Sequence, residues 1–139
     1  MYTKTIEYTD FNGTKREEDF YFHLSNAELM EMEMSTVGGL AEMIQNVVKA
    51  NDATAIIKIF KDLILKSYGE KSADGKRFMK VDDNGTPLSV AFSQTEAYSK
   101  LFMELATDDD AAAEFVNHII PEDAAAEFEK SGYAIAKNE

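Results

Sequence analysis

The sequence predicts an α+β domain, mainly α, in which an N-terminal β-hairpin is followed by a bundle of about five or six helices. Residues 3–24 alternate in the manner of two strands around an Asn-Gly turn. Apolar residues then recur at helical spacing over most of residues 26–119. A chain of 139 residues is long enough for one domain with its own core. We therefore expect a single globular domain over residues 1–121.

The N-terminal hairpin is predicted by strand spacing on both sides of a turn. Residues 3–9 place Ile6 and Tyr8 on one face, and residues 18–24 supply the aromatic return strand. Asn12-Gly13 tolerates positive φ and favours the turn between them. Because a lone hairpin is only marginally stable in water, it must pack on helices or pair with a further strand.

The first helix is predicted over residues 26–34. Ser25 and Glu28 have the spacing of a capping box, and Leu24 and Leu29 occupy the positions of a hydrophobic staple. Apolar stripes predict two further helices, over residues 40–48 and 53–68, and the second of these has the longest stripe in the chain. Residues 69–88 are polar, with a short strand predicted near Phe78.

The stretch 92–121 predicts two helices joined by an acidic turn. Ser93 and Glu96 fit a capping box for the first helix, and Thr107 is expected to cap the second. Asp108 and the two aspartates after it then lie in the first turn of that helix, where the helix dipole favours negative charge. Pro121 ends the helix, and residues 122–139 are expected to form a short helix and a flexible tail.

The charge and composition exclude several classes of function. A net charge of -12 disfavours nonspecific binding to nucleic acid or to an anionic membrane, which both require basic surfaces. It favours solubility or a basic partner. The chain has no cysteine, which suits a reducing cytoplasm. Its N-terminus lacks the apolar segment of a signal peptide, and no apolar run is long enough to span a bilayer.

No residue pattern marks a catalytic, cofactor-binding or metal site. The turn at residues 82–85 fails the calcium-loop register, because Lys80 and Ala91 would fall at ligand positions. His23 and His118 have no partner at ligand spacing. We therefore expect no enzyme activity and no cofactor.

The methionines are the candidate partner-binding residues. Methionine is polarisable and adaptable, and it is frequent on surfaces that accept varied partners. Several of the seven methionines lie partly off the best apolar stripes, so core packing and partner binding are nearly balanced for them. The candidates for binding an amphipathic partner helix are Met30, Met32, Met34, Met103 and Phe102.

Two stretches resemble the tail assembly chaperones of long-tailed, siphovirus-like bacteriophages. They are TDFNGTKREEDFYFHLSNAELMEMEMSTVGGL and TEAYSKLFMELATDDDAAAEFVNHIIP. The resemblance implies a small, helical, non-enzymatic protein of the infected bacterial cytoplasm that is absent from the mature virion. It also implies binding to the tape-measure protein, which is kept soluble during tail-tube assembly, and recruitment of tail-tube protein.

Two alternatives remain open on the sequence alone. An acidic inhibitor or nucleic-acid mimic would carry carboxylates at phosphate-like spacing on one face. A structural tail-completion or connector subunit would be found in purified virions. The hairpin edge also makes a homo-oligomer an open alternative to a monomer.

Overall fold

A computed structural model describes residues 1–35 and 53–119. The side chains of residues 33–35, 53 and 109 are excepted from this description. The helix predicted over residues 40–48 and the short helix and tail predicted over 122–139 lie outside the described residues. Those two predictions stay untested, and so does the domain boundary near residue 121.

The N-terminal hairpin is the first half of a four-stranded sheet. Neighbouring strands are antiparallel and follow one another in the order β1-β2-β3-β4. Tyr2 lies opposite Phe22 and Thr9 opposite Lys15, and Tyr21 then pairs with Gly69 of the third strand. The strands are β1 (Tyr2–Thr9), β2 (Lys15–Phe22), β3 (Tyr68–Lys71) and β4 (Phe78–Met79).

The described residues contain five helices, of which the last two lie on either side of the acidic turn predicted near Asp108. They are α1 (Asn26–Ser35), α2 (Ala53–Ser67), α3 (Leu88–Phe92), α4 (Glu96–Thr107) and α5 (Asp109–Ile119). The bounds of α1 and α2 agree with the sequence to within one residue at each end. The short helix α3 was not predicted.

The predicted bundle of five or six helices is wrong. The sheet is an integral layer of the fold, and its apolar face packs against the helices. Phe22 of β2 lies at the centre of this contact, with ring centroids 5.5 Å from Phe115 and 5.8 Å from Phe92. The helical stripes are therefore buried against strands as well as against one another, because the hairpin's apolar face also has to leave water.

Chain reversal after α2 adds the strand that the sequence did not predict. The helix ends at Ser67, and Tyr68 begins β3 instead of extending the helix. The Tyr68 ring stacks on Phe92 with centroids 4.2 Å apart. At Gly69 a Cβ atom would lie 2.6 Å from the Met79 carbonyl oxygen and from the Phe78 ring, so only glycine permits this close strand approach.

The helix caps confirm one prediction and correct two others. The Ser25–Glu28 capping box is present. The Ser25 N–H donates to Glu28 Oε1 at 2.9 Å, and the Glu28 N–H donates to Ser25 Oγ at 3.1 Å. The cap of α4 is Thr95, whose hydroxyl accepts from the Tyr98 N–H at 3.2 Å, whereas the hydroxyl of Ser93 donates to a carbonyl of α3. Sequence spacing favoured Ser93 because it could not reveal that a short helix, α3, ends directly before this residue.

The start of α5 is capped by an aspartate instead of the predicted threonine. Asp108 accepts hydrogen bonds from the N–H groups of Asp110 and Ala111 at 3.0 and 3.1 Å. The hydroxyl of Thr107 donates backwards to the Met103 carbonyl, because Thr107 is still part of α4.

Candidate partner-binding surfaces

Helix α1 carries two of the predicted binding residues with described side chains. Met30 is 65% exposed. Met32 is half-buried and packs against the core. Met32 also lines a shallow depression of about 370 Å³ with Leu24 and three charged or polar neighbours, Glu28, Glu31 and Lys66. The Met34 side chain lies outside the description.

A lysine from the end of β4 holds α1 in place. Lys80 Nζ lies 2.8 Å from Glu28 Oε2 and donates to the Lys66 carbonyl at 2.7 Å. Burial acts to raise the pKa of Glu28, but the hydrogen bonds from Lys80 and Ser25 outweigh it and hold that pKa below its usual value. This network links the start of α1 to the end of α2.

Helix α4 presents the other two candidates in different directions. Phe102 is half-buried against the core, whereas Met103 is 55% exposed. Adjacent residues of a helix point about 100° apart, so these two side chains line separate grooves. The structure therefore does not gather the predicted residues into one site.

Phe102 lies in the groove between α2 and α4, which we call the α2–α4 groove. It has a volume of about 670 Å³. Leu65, Tyr98 and Phe102 supply its apolar surface. Its remaining lining residues are polar or charged: Lys61, Ser93, Gln94, Thr95 and Ser99.

Met103 lies in a second groove, between the outer edge of β1 and α4, which we call the β1–α4 groove. Its volume is about 350 Å³. Lys4 Nζ and Glu104 Oε2 form an ion pair of 2.8 Å across it. Hydrogen bonding to Glu104 raises the pKa of Lys4 although burial opposes the shift, so this lysine stays charged.

The α2–α4 groove contains residues that sequence analysis did not select. Tyr98 has the spacing of an apolar stripe with Leu101 and Leu105, which is typical of a core residue, and Lys61 is charged, which is typical of a solvated helix face. Leu65 provided the one usable signal, because it follows Leu63 and Ile64 and so falls outside the apolar stripe of α2. A leucine off the stripe of an otherwise well-patterned helix is a candidate for a surface groove.

Within residues 1–35 and 53–119, no group of three His, Cys, Asp or Glu side chains could hold a metal ion. His23 has a buried Nδ1 with no hydrogen-bond partner, and burial lowers its pKa. The centroid of the Phe78 ring lies 5.9 Å from that of this imidazole.

Comparison with known proteins decides the family. The family model described as phage tail assembly chaperone matches residues 1–138. The chain belongs to this family. Searches of curated proteins and of solved structures returned no significant match. In the described part of this chaperone, no helix has the length and apolar character that crossing a membrane requires.

Family membership confirms the resemblance that the two sequence stretches indicated. The match extends over the whole described chain, so the sheet, the helices and both grooves belong to the family domain. A tail assembly chaperone acts on other phage proteins while the tail is built. The grooves are therefore candidate protein-binding surfaces.

Proposed function

We propose that this chaperone binds the phage tape-measure protein and keeps it soluble while the tail tube assembles around it. The α2–α4 groove is the observation that carries the proposal. A tape-measure protein is long and helical, and its apolar stripes need cover before the tube encloses them. The proposed role is non-enzymatic and belongs to the cytoplasm of the infected bacterium.

The groove has the form that helix recognition requires. Leu65, Tyr98 and Phe102 offer apolar contacts at the centre, and hydroxyl and amide side chains surround them. An amphipathic helix inserts side chains at i, i+3, i+4 and i+7 into such a groove. About 670 Å³ of space accommodates several of these side chains at once. The hydroxyl of Tyr98 is protonated at neutral pH and can donate a hydrogen bond, and burial raises its pKa further.

Exposed methionines extend the proposed contact beyond the groove. Met30 and Met103 present flexible thioether side chains to solvent, and Met32 and Met34 lie on the same helix as Met30. Methionine adapts its shape to different apolar partners, which suits a chaperone that must cover many similar stripes. The net charge of -12 would keep the resulting complex in solution.

The experiment is co-expression with the tape-measure protein of the same phage, with partner solubility and co-purification as readouts. Phe102→Ala and Met103→Asp should each lower the soluble yield of the partner, and Met30→Asp should lower it less. Val90→Asp is the matched control, since Val90 is 46% exposed on α3 and lines none of the described grooves. Circular dichroism of each variant checks that the fold is intact.

Wild-type protein that leaves the partner insoluble would overturn the proposal. If folded Phe102→Ala and Met103→Asp variants keep the partner as soluble as Val90→Asp does, the two grooves are not the binding surfaces. Tail-tube protein, added as a third component, should join the complex if the chaperone also recruits tube subunits. The chaperone should be absent from purified virions, and its presence there would favour a structural subunit.

A further inference from the structure

Among the described residues, the outer edge of β1 has no strand partner, and the register defines which of its backbone groups face outward. In the described sheet β1 has a neighbour on one side, β2. The Asp10 N–H donates to the Thr14 carbonyl at 2.9 Å, which makes that pair a hydrogen-bonded one. Hydrogen-bonded and non-hydrogen-bonded pairs alternate along an antiparallel ladder. The register therefore directs the backbone groups of four residues away from β2: Thr3, Thr5, Glu7 and Thr9.

This edge borders the β1–α4 groove, so the side chains of an added strand could pack against the residues that line the groove. Met103 and the aliphatic parts of Lys4 and Lys100 line the groove on the helix side of the sheet. A fifth strand placed beside β1 would direct alternate side chains toward α4 and the others toward the solvated face of the sheet. Free backbone groups and an adjacent groove are the two features that strand addition uses.

The solvated face beside this edge is acidic. Glu7 lies directly opposite Glu17 in a non-hydrogen-bonded pair, the closer of the two pair types. Asp19 lies opposite Thr5 and accepts its hydroxyl hydrogen at 2.6 Å. The pKa of Glu17 is raised by its hydrogen bond with Glu7 and by the negative charge of Glu7. Like charges placed directly across two strands are destabilising, and a cation beside Glu7 would relieve the repulsion.

The charge pattern distinguishes between two occupants of the edge. A second copy of this chain would bring another net charge of -12 to the same surface. An extended segment with lysine or arginine at alternate positions would pair its cations with the acidic face. It would also satisfy the outward N–H and C=O groups of β1.

We propose that β1 binds an extended, lysine- or arginine-bearing segment of a partner protein as a fifth strand of the sheet. This surface is distinct from the α2–α4 groove and takes a strand, not a helix. The interaction supplements the proposed cover of helical stripes, and it would stand if helix binding by the α2–α4 groove failed. Backbone pairing would supply affinity, and the acidic face would supply selectivity.

The test uses the whole protein and a fluorescein-labelled eight-residue peptide in which lysine alternates with valine. Fluorescence anisotropy should detect binding that weakens as salt is added. The matched peptide with glutamate in place of lysine should not bind. If the lysine peptide does not bind at low salt, the proposal is wrong.

Two substitutions at one position separate the backbone from the side chain. Thr5→Pro removes an outward N–H, and prolines are tolerated on strand edges. It should weaken peptide binding on the order of tenfold. Thr5→Val also removes the hydroxyl bonded to Asp19 but keeps the outward N–H. This variant should therefore bind the lysine peptide as the wild-type protein does. Equal binding by folded Thr5→Pro and Thr5→Val would overturn strand addition.

Hydrogen exchange of the wild-type protein provides a readout that does not depend on a variant's folding. The peptide should slow exchange at the four outward amides, those of Thr3, Thr5, Glu7 and Thr9. Protection confined to α2 and α4 would place the peptide in the α2–α4 groove and contradict the proposal. A dimer in light scattering that dissociates in Thr5→Pro, without peptide binding by either protein, would identify a second copy as the occupant.

Discussion

Helices α1 and α4 both present an exposed methionine, yet they are attached to the domain in different ways. Helix α4 buries three residues, Ala97, Leu101 and Leu105, at its contact with β1 and the neighbouring helices. Among the described side chains of α1, Leu29 is the buried one. Helix α1 depends instead on its capping box and on the contacts of Lys80.

Exposure and support are therefore separate properties of a binding residue. Met103 projects from a helix fixed by a continuous apolar face, so its position is set in advance of binding. Met30 projects from a helix with one buried residue among its described side chains and with polar contacts at its start, so we expect it to adjust more readily. A rigid surface gives geometric selectivity, whereas an adaptable one suits varied apolar partners.

The largest expected effect comes from shortening the core residue of α4. Leu101 is 1% exposed, and Leu101→Ala should lower the free energy of unfolding by about 3 kcal/mol. Leu29→Ala on α1 should cost less, about 2 kcal/mol, because that site is nearer the surface and can collapse more readily. Urea denaturation of both variants measures the difference. Equal losses would mean that α1 is anchored as firmly as α4.

A medium effect is expected from removing the polar support of α1. Lys80→Met keeps the length of the side chain but loses the contacts with Glu28 and with the Lys66 carbonyl. Both ends of the ion pair are partly solvated, so the loss should be about 1 kcal/mol. Hydrogen exchange should accelerate in α1 and stay unchanged in α4. Uniform acceleration across both helices would contradict the local role of Lys80.

The smallest effect concerns pH and the histidine that precedes α1. Burial lowers the pKa of His23, with the N-terminal amine and Lys80 acting in the same direction and Glu28 opposing them. The unfolded chain therefore takes up this proton first as pH falls below 6.5, and stability is lost with it. His23→Gln should reduce the loss of Tm between neutral and mildly acidic pH.

The matched control for His23 is the other histidine of the chain. His118 lies exposed on α5, so His118→Gln should keep the wild-type dependence of Tm on pH. If both variants show the same slope as wild type, carboxylates such as Glu28 carry the acid sensitivity instead. Glu28 has a lowered pKa, so its contribution to stability is also lost as pH falls.

Local patterns predicted those features that depend on neighbours in the sequence. The Asn12-Gly13 turn, the Ser25–Glu28 capping box and the extent of α2 all follow from residues a few positions apart. Strand β4 lies where a short strand was predicted near Phe78, whereas β3 was missed because it spans four residues of mixed polarity. Strands this short are stabilised by pairing with neighbours that are distant in sequence, and no local periodicity marks them.

The candidate binding residues likewise combine features that local sequence predicts with features that depend on tertiary packing. Sequence spacing placed the candidate methionines partly off the main stripes but could not say which of them reach solvent. Met30 and Met32 are two residues apart on α1, and only packing against the core distinguishes the exposed one from the half-buried one. The β1–α4 groove combines residues about 95 positions apart, such as Thr5 and Lys100, so it exists only after folding.

Contiguous residues were enough to predict the hairpin, the amphipathic helices, the acidic charge and the chaperone family. Tertiary structure decided that the apolar stripes pack on a sheet, that Thr95 and Asp108 begin the last two described helices, and that two grooves flank α4. The physical reason is that a stripe fixes how much apolar surface must be buried, whereas the surface that covers it depends on the rest of the chain.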